Sequence, residues 1–217
     1  MPEPSRAPYP APGYARWHLP PAPPDTYLDD LPPETEGRHR GFFMRLALGP
    51  GYYSMWADSP EGSLLLRAAG AGLSLSLGGA LAENFVLFGE IALQSTLDPQ
   101  VDTYESGRAR AGTSVTTAAI GAGLGYHLMP AQVFFAGSLL VAQARAVDRP
   151  TERLLGKTDL GPALGLAVGK DWWMSPSWTI GVLGRVLLAR LRDPAHGRSG
   201  AMWDSLGLSA AFCVAFE

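Results

Sequence analysis

From residue 41 onward, large apolar side chains recur at every second position, and what lies between them is small. Phe42, Met44, Leu46 and Leu48 alternate with Phe43, Arg45, Ala47 and Gly49. Leu73, Leu75 and Leu77 alternate with Gly72, Ser74, Ser76 and Gly78. Leu87, Ile91 and Leu93 oppose Phe88, Glu90, Ala92 and Gln94, and Ile120, Leu124, Tyr126 and Leu128 oppose Gly121, Gly123, Gly125 and His127. The same texture returns around Leu164–Val168, Ile180–Leu188 and Leu206–Phe216. A period of two places successive side chains on opposite faces of a β-strand. The pattern predicts eight strands, at about 41–55, 64–81, 85–96, 114–128, 132–144, 158–172, 177–189 and 203–216. Only 132–144 leaves its faces open, because Phe134 and Phe135 adjoin.

The contrast between the two faces is unusual. A soluble sandwich or soluble barrel turns its large apolar residues inward and charged residues outward. Here one face is large and apolar, and the other is Gly, Ala and Ser with an occasional charge. That second face suits the lumen of a narrow barrel, where eight strands leave little room. The apolar face then meets lipid. Each stretch also exceeds the roughly 9–11 residues that a tilted strand needs to cross hydrocarbon. The connections alternate in length: 56–63, 97–113, 145–157 and 190–202 are long and polar, whereas those near 82, 130 and 175 are short. Such alternation predicts outer loops at one rim, turns at the other, and both chain ends on the turn side.

Composition locates the rest. The chain has 26 Gly and 19 Pro among 217 residues, and only 17% charged residues. Eleven of the prolines fall in residues 1–40, which show no apolar period. This segment is expected to be a disordered Pro-rich N-terminal tail, with the barrel domain at 41–217. Of 37 charged residues, only eight fall within the predicted strands. A net charge of −3 argues against a nucleic-acid partner. The single cysteine, Cys213, excludes an internal disulfide framework. Met1-Pro2-Glu3 opens without a basic segment or apolar core. A barrel needs export, so either this numbering starts after a removed signal peptide or the start is misplaced.

Rings gather where the strands end. Tyr52, Tyr53 and Trp56 close the first strand, while Phe42, Tyr126, Trp172, Trp173, Trp178 and Phe216 fall near the short turns. These nine are the expected aromatic girdle of the membrane interfaces. Residues 41–217 thereby resemble the small eight-stranded outer-membrane β-barrels of Gram-negative bacteria, the OmpA/OmpX-like barrels. The resemblance rests on three runs: Gly41 to Gly49, Gly169 to Ser175 at a strand–turn boundary, and Leu206 to Phe216 at the C-terminus. It implies an all-β fold, an eight-stranded antiparallel up-and-down transmembrane β-barrel. It also implies location in the outer membrane, and a terminal aromatic, Phe216, read by the barrel assembly machinery. Here Glu217 follows that aromatic, which departs from the family pattern.

Chemistry is sparse. Arg45, Glu90 and Arg185 share the small-residue face and are expected to form a lumen ion-pair network, with Gln94 or His127 nearby. No G-x-S-x-G, H-E-x-x-H or P-loop occurs. His196, with Asp193 and Ser199 near it in the last loop, is the weak case for a lipid-modifying enzyme on the same scaffold. Arg149, Arg153 and Lys157, with Arg145, make one predicted loop basic, and Arg192 and Arg198, with Arg190, make the last one so. They are candidate contacts for lipopolysaccharide phosphates. The expectation is a non-enzymatic, monomeric barrel without metal or cofactor, stabilising the envelope or displaying loops for adhesion or recognition. A soluble ligand-binding β-barrel is the remaining alternative.

Overall fold

The computed structural model describes residues 41–59, 62–103, 112–193 and 201–216, without the side chains of 58, 59, 62, 101 and 103. The expected N-terminal tail, residues 1–40, lies outside them. Ten strands form: β1 (Phe42–Ser59), β2 (Gly62–Ala82), β3 (Phe85–Leu97), β4 (Gln100–Thr103), β5 (Thr113–Leu128), β6 (Val133–Asp148), β7 (Arg153–Lys157), β8 (Gly161–Ser175), β9 (Trp178–Arg192) and β10 (Met202–Phe216). Eight of them close a ring in the order β1, β10, β9, β8, β6, β5, β3, β2, with β2 paired back to β1. Every pairing is antiparallel, and each strand's sequence neighbour in the ring is also its spatial neighbour. Closure leaves no unpaired edge, so the backbone satisfies its own hydrogen bonds without water. This is the up-and-down barrel that the alternation predicted.

β4 and β7 are short strands that extend the long connections, β4 along β2 and β7 along β6. They change one expectation. The first connection was expected to run from 56 to 63, yet β1 and β2 stay paired up to Ser59 and Gly62. Only residues 60 and 61 separate those strands. Continuing the ladder satisfies backbone groups that a loop would have to give to water. The short turns lie at 83–84, at the 3-10 turn Met129–Ala131 and at 176–177. Asn84 (φ 64°) and Gln132 (φ 53°) adopt the left-handed conformation that such reversals require.

Burial follows parity. In β3 the pattern is strictly alternating over its first ten residues, with Val86, Phe88, Glu90, Ala92 and Gln94 inside. β6, ambiguous in sequence, resolves with Phe134 buried and Phe135 exposed. The outer face is apolar all round. Leu139 is 75% and Phe212 77% exposed, and Ile120, Leu124, Leu166, Ile180 and Val214 join them. A soluble monomer rarely exposes more than a few hundred Å² of contiguous apolar surface. A belt around a closed barrel is a surface built for hydrocarbon.

The lumen is filled in layers. Towards the long connections, Tyr53, Met55, Val115, Leu140, Leu187 and Leu191 pack with a set of alanines. In mid-barrel, Ala47, Phe134, Leu183, Ala211 and Cys213 cluster. At the short-turn end, Phe43, Val86, Phe88 and Ala215 close the interior. Glycine on this face makes room for larger partners. A Cβ on Gly207 would lie 1.8 Å from Gln94 Oε1, and one on Gly181 would lie 2.3 Å from Asp171 Oδ1.

Candidate functional site

Two ion pairs cross the lumen. Arg185 of β9 pairs with Glu90 of β3, with the two side chains 10% and 4% exposed. Arg45 of β1 meets Asp171 of β8 at 2.5 Å, Nη2 to Oδ2. The guanidinium of Arg45 also lies over the Phe134 ring, 3.5 Å from its centroid. Cys213 Sγ donates to the other oxygen of Asp171 at 3.6 Å. The structure therefore brings Arg185 to Glu90 but pairs Arg45 with a residue outside the expected set. Asp171 shares the odd parity of Gly161, Ala163 and Gly165 in β8, and that parity was the signal available. Reading 169–175 as a strand–turn boundary hid it.

Other polar groups fill the space between. Gln94 Nε2 donates to the Tyr52 carbonyl at 3.2 Å. His127 is buried and stacks on Phe134, ring centroids 5.8 Å apart. Arg185 Nη2 has no hydrogen-bond partner among the described residues and lies beside two small cavities, of about 20 and 30 Å³. Each has room for a water or two, no more. Among the described residues no group of three His, Cys, Asp or Glu side chains is arranged to hold a metal.

The aromatic positions divide by face. Phe42, Phe216 and Trp178 form a row on adjacent strands of the outer face, with centroids 6.2 and 5.2 Å apart. Phe85 and Tyr126 pair at 4.9 Å, with the exposed Phe135 opposite Tyr126 in the register. Trp172, Tyr52 and Trp56 also face outward. Tyr53 and Trp173 do not belong to this girdle. Adjacent residues on a strand point to opposite faces, so the outward Tyr52 and Trp172 send their neighbours inside. Tyr53 is 2% exposed, and its hydroxyl is 2.8 Å from Thr117 Oγ1. Trp173 is half-buried at the short-turn mouth.

The basic residues expected in loops are partly on strands. Arg145 lies in β6, Arg153 and Lys157 in β7, and Arg190 and Arg192 in β9. Arg149 sits in the turn after β6, where its Nη2 lies 2.5 Å from both carboxylate oxygens of Asp98. That clasp joins two long connections and matches the charge of Arg149 within the protein. Arg198, His196 and Ser199 lie outside the described residues.

No protein-family model matches the chain, and no curated protein matches it either. Among solved structures, the fold is similar to the crystal structure of Neisserial surface protein A, with a TM-score of 0.52 and 14% identity, covering 81% of this chain and 96% of that one. It is similar as well to the outer membrane protein OprG from Pseudomonas aeruginosa, with a TM-score of 0.50 and 15% identity over 83% and 98% of the two chains. At such identity the likeness establishes the fold and nothing finer. The fold is that of the small eight-stranded outer-membrane β-barrels, and the apolar belt suits that membrane.

Proposed function

We propose that this outer-membrane barrel is a non-enzymatic, closed scaffold that acts through its long-connection rim, stabilising the envelope and presenting surface for recognition. One observation carries the reading: the lumen is occupied. Two ion pairs cross it, packed layers lie above and below them, and the cavities beside Arg185 measure about 20 and 30 Å³. A solute channel needs continuous polar space, and an eight-stranded wall has none to spare. What remains for interaction is the rim, where strands extended past the apolar belt carry Arg145, Arg153, Lys157, Arg190 and Arg192. Contact of this rim with phosphate-bearing lipid is part of the proposal. Phe216, in the outer aromatic row, is proposed as the aromatic of the last strand recognised during assembly.

The test has two readouts. Detergent-extracted protein should migrate faster on a gel unheated than after boiling, as a folded barrel does. Reconstituted into planar bilayers, it should give no steady single-channel conductance. Reproducible conductance from the unboiled protein would overturn the closed-scaffold reading while leaving the fold intact.

A further inference from the structure

The stagger of the ring fixes the relative heights of the outward side chains. Following register partners from Met44 of β1 through β2, β3, β5, β6, β8, β9 and β10 returns to β1 at Ser54, ten residues nearer the long connections. With eight strands, that stagger tilts each strand by about 40° from the barrel axis. A register step from β10 to β9, or from β9 to β8, therefore descends about 3 Å towards the short turns. Two residues down a strand descend about 5 Å.

Ala210 and Phe212 are successive outward residues of β10. Phe212, 77% exposed, is the most exposed large apolar side chain among the described residues. Gly184, the register partner of Ala210 on β9, also faces outward and brings no side chain. A Cβ added to Gly184 would meet one atom, the Val168 carbonyl oxygen at 4.0 Å, so the space above it is open. Val168 is the next outward residue along the same register, on β8. Relative to Ala210, Phe212 lies about 5 Å lower and about 4 Å towards β1. The hollow between Gly184 and Val168 lies about 5 Å lower and about 6 Å towards β8. A knob and a hollow thus stand at one height, on opposite sides of a vertical line through Ala210.

We propose that this face takes a second copy of the chain, the two walls meeting across Ala210 with Phe212 of each seated over Gly184 of the other. Barrels inserted in one membrane share an orientation, so a symmetric pair has its two-fold axis along the membrane normal. Rotation about that axis keeps height and reverses side, which brings each knob to the partner's hollow. In lipid, apolar area alone drives no association, because acyl chains cover it equally well; close packing does. Ala210 and Gly184 let the two backbones approach, and the rigid ring fills the space between them. The outward residues around the contact, Val182, Val186, Leu208 and Val214, carry no charge. The inference replaces the monomer expected from the sequence and rests on the lipid-facing reading of the wall.

The experiment reconstitutes the full chain, labelled once at its N-terminus, into lipid vesicles at a series of protein-to-lipid ratios. Copies per complex are counted by single-molecule photobleaching. Two-step bleaching is expected at high density, giving way to single steps on dilution. Phe212→Ala and Gly184→Leu should each raise the density needed for pairing at least tenfold. Ala210→Cys/Cys213→Ser should form a disulfide-linked pair on mild oxidation. Leu139→Cys/Cys213→Ser, on β6 three places from β10 in the ring, should not. Single-step bleaching of the parent at every density overturns the proposal. So does equal linking at 210 and 139, or pairing of both Phe212→Ala and Gly184→Leu as tight as the parent's. The heat-dependent gel shift is recorded for every variant, so failure of the barrel itself is seen separately. If Gly184→Leu does not fold, Phe212→Ala decides, because it only removes atoms from the lipid-facing side. Conductance is measured on the same vesicles: pairs that conduct overturn the closed scaffold and leave the pairing, whereas silent single copies do the reverse.

Discussion

Removal of the Asp171 carboxylate is the sharpest test of how the lumen is held together. In Asp171→Ala, Arg45 keeps a buried guanidinium, its side chain 7% exposed, and loses the oxygen 2.5 Å away. Breaking a buried pair from one side typically costs about 3–5 kcal/mol, because the remaining charge is stranded. The Phe134 ring recovers part of this, about 1–2 kcal/mol for a desolvated cation over a ring. The expected net loss is therefore about 1–4 kcal/mol. Replacing both partners, as Arg45→Met/Asp171→Ala, removes the stranded charge and leaves a thioether against Phe134, with about 1 kcal/mol lost relative to the parent. Reversible urea unfolding in lipid vesicles, followed by tryptophan fluorescence and gel mobility, measures both. The reasoning fails if the single variant lies within about 1 kcal/mol of the parent. It also fails if the double variant is no more stable than the single one, since then no coupling links the two residues.

Glu90→Ala should destabilise by a similar 3–5 kcal/mol, because Arg185 already has one nitrogen without a partner; an unchanged unfolding midpoint would dismiss the pair as a support. Gly207→Ala should be disruptive by itself, as the new methyl lands on Gln94, and Gln94→Ala in the same chain should restore most of the loss, measured by the heat-dependent gel shift. Tyr53→Phe should cost about 1–3 kcal/mol by leaving Thr117 unsatisfied in the lumen, whereas Tyr52→Phe should be nearly neutral. Leu139→Arg, at the most exposed leucine among the described residues and near the middle of β6, should cost about 2–4 kcal/mol in a bilayer; a soluble protein would tolerate it at no cost, so a neutral result would count against the lipid-facing belt.

The period of two carried most of the fold. It placed all eight long strands, and it put Arg45, Glu90 and Arg185 on the inner face, because parity depends only on local sequence. Parity does not say who faces whom across the lumen. Glu90 meets Arg185 because β3 and β9 stand opposite each other in the ring and because the strand stagger brings those two heights level. That stagger is a property of the closed sheet and is written in no single strand. For the same reason Asp171 was invisible as the partner of Arg45. The aromatic assignments failed differently. Tyr53 and Trp173 were grouped with Tyr52 and Trp172 by composition, although parity alone forbids two neighbours on one face. The ends of the strands were also misjudged, because backbone pairing continues past the point where the apolar alternation stops. Residues 145–157 read as a polar loop, yet Arg145 and Lys157 are paired on a ladder.

The two ion pairs of the lumen and the Tyr53–Thr117 hydrogen bond share one property: each spans strands that are not neighbours. Arg45 to Asp171 joins β1 to β8, three places apart in the ring, and Glu90 to Arg185 joins β3 to β9, four places apart. Tyr53 to Thr117 joins β1 to β5, again three places apart. Backbone ladders fix only adjacent strands, so a ring of eight could flatten or shear with its hydrogen bonds intact. Apolar packing resists compression but is non-directional. A directional contact across the diameter fixes the cross-section, and contacts at different heights fix the stagger as well. The charges are confined to mid-barrel, where lumen and lipid are both dry and an unpaired alternative is most costly. The same cross-lumen contacts that stiffen the wall occupy the space along its axis between the packed layers.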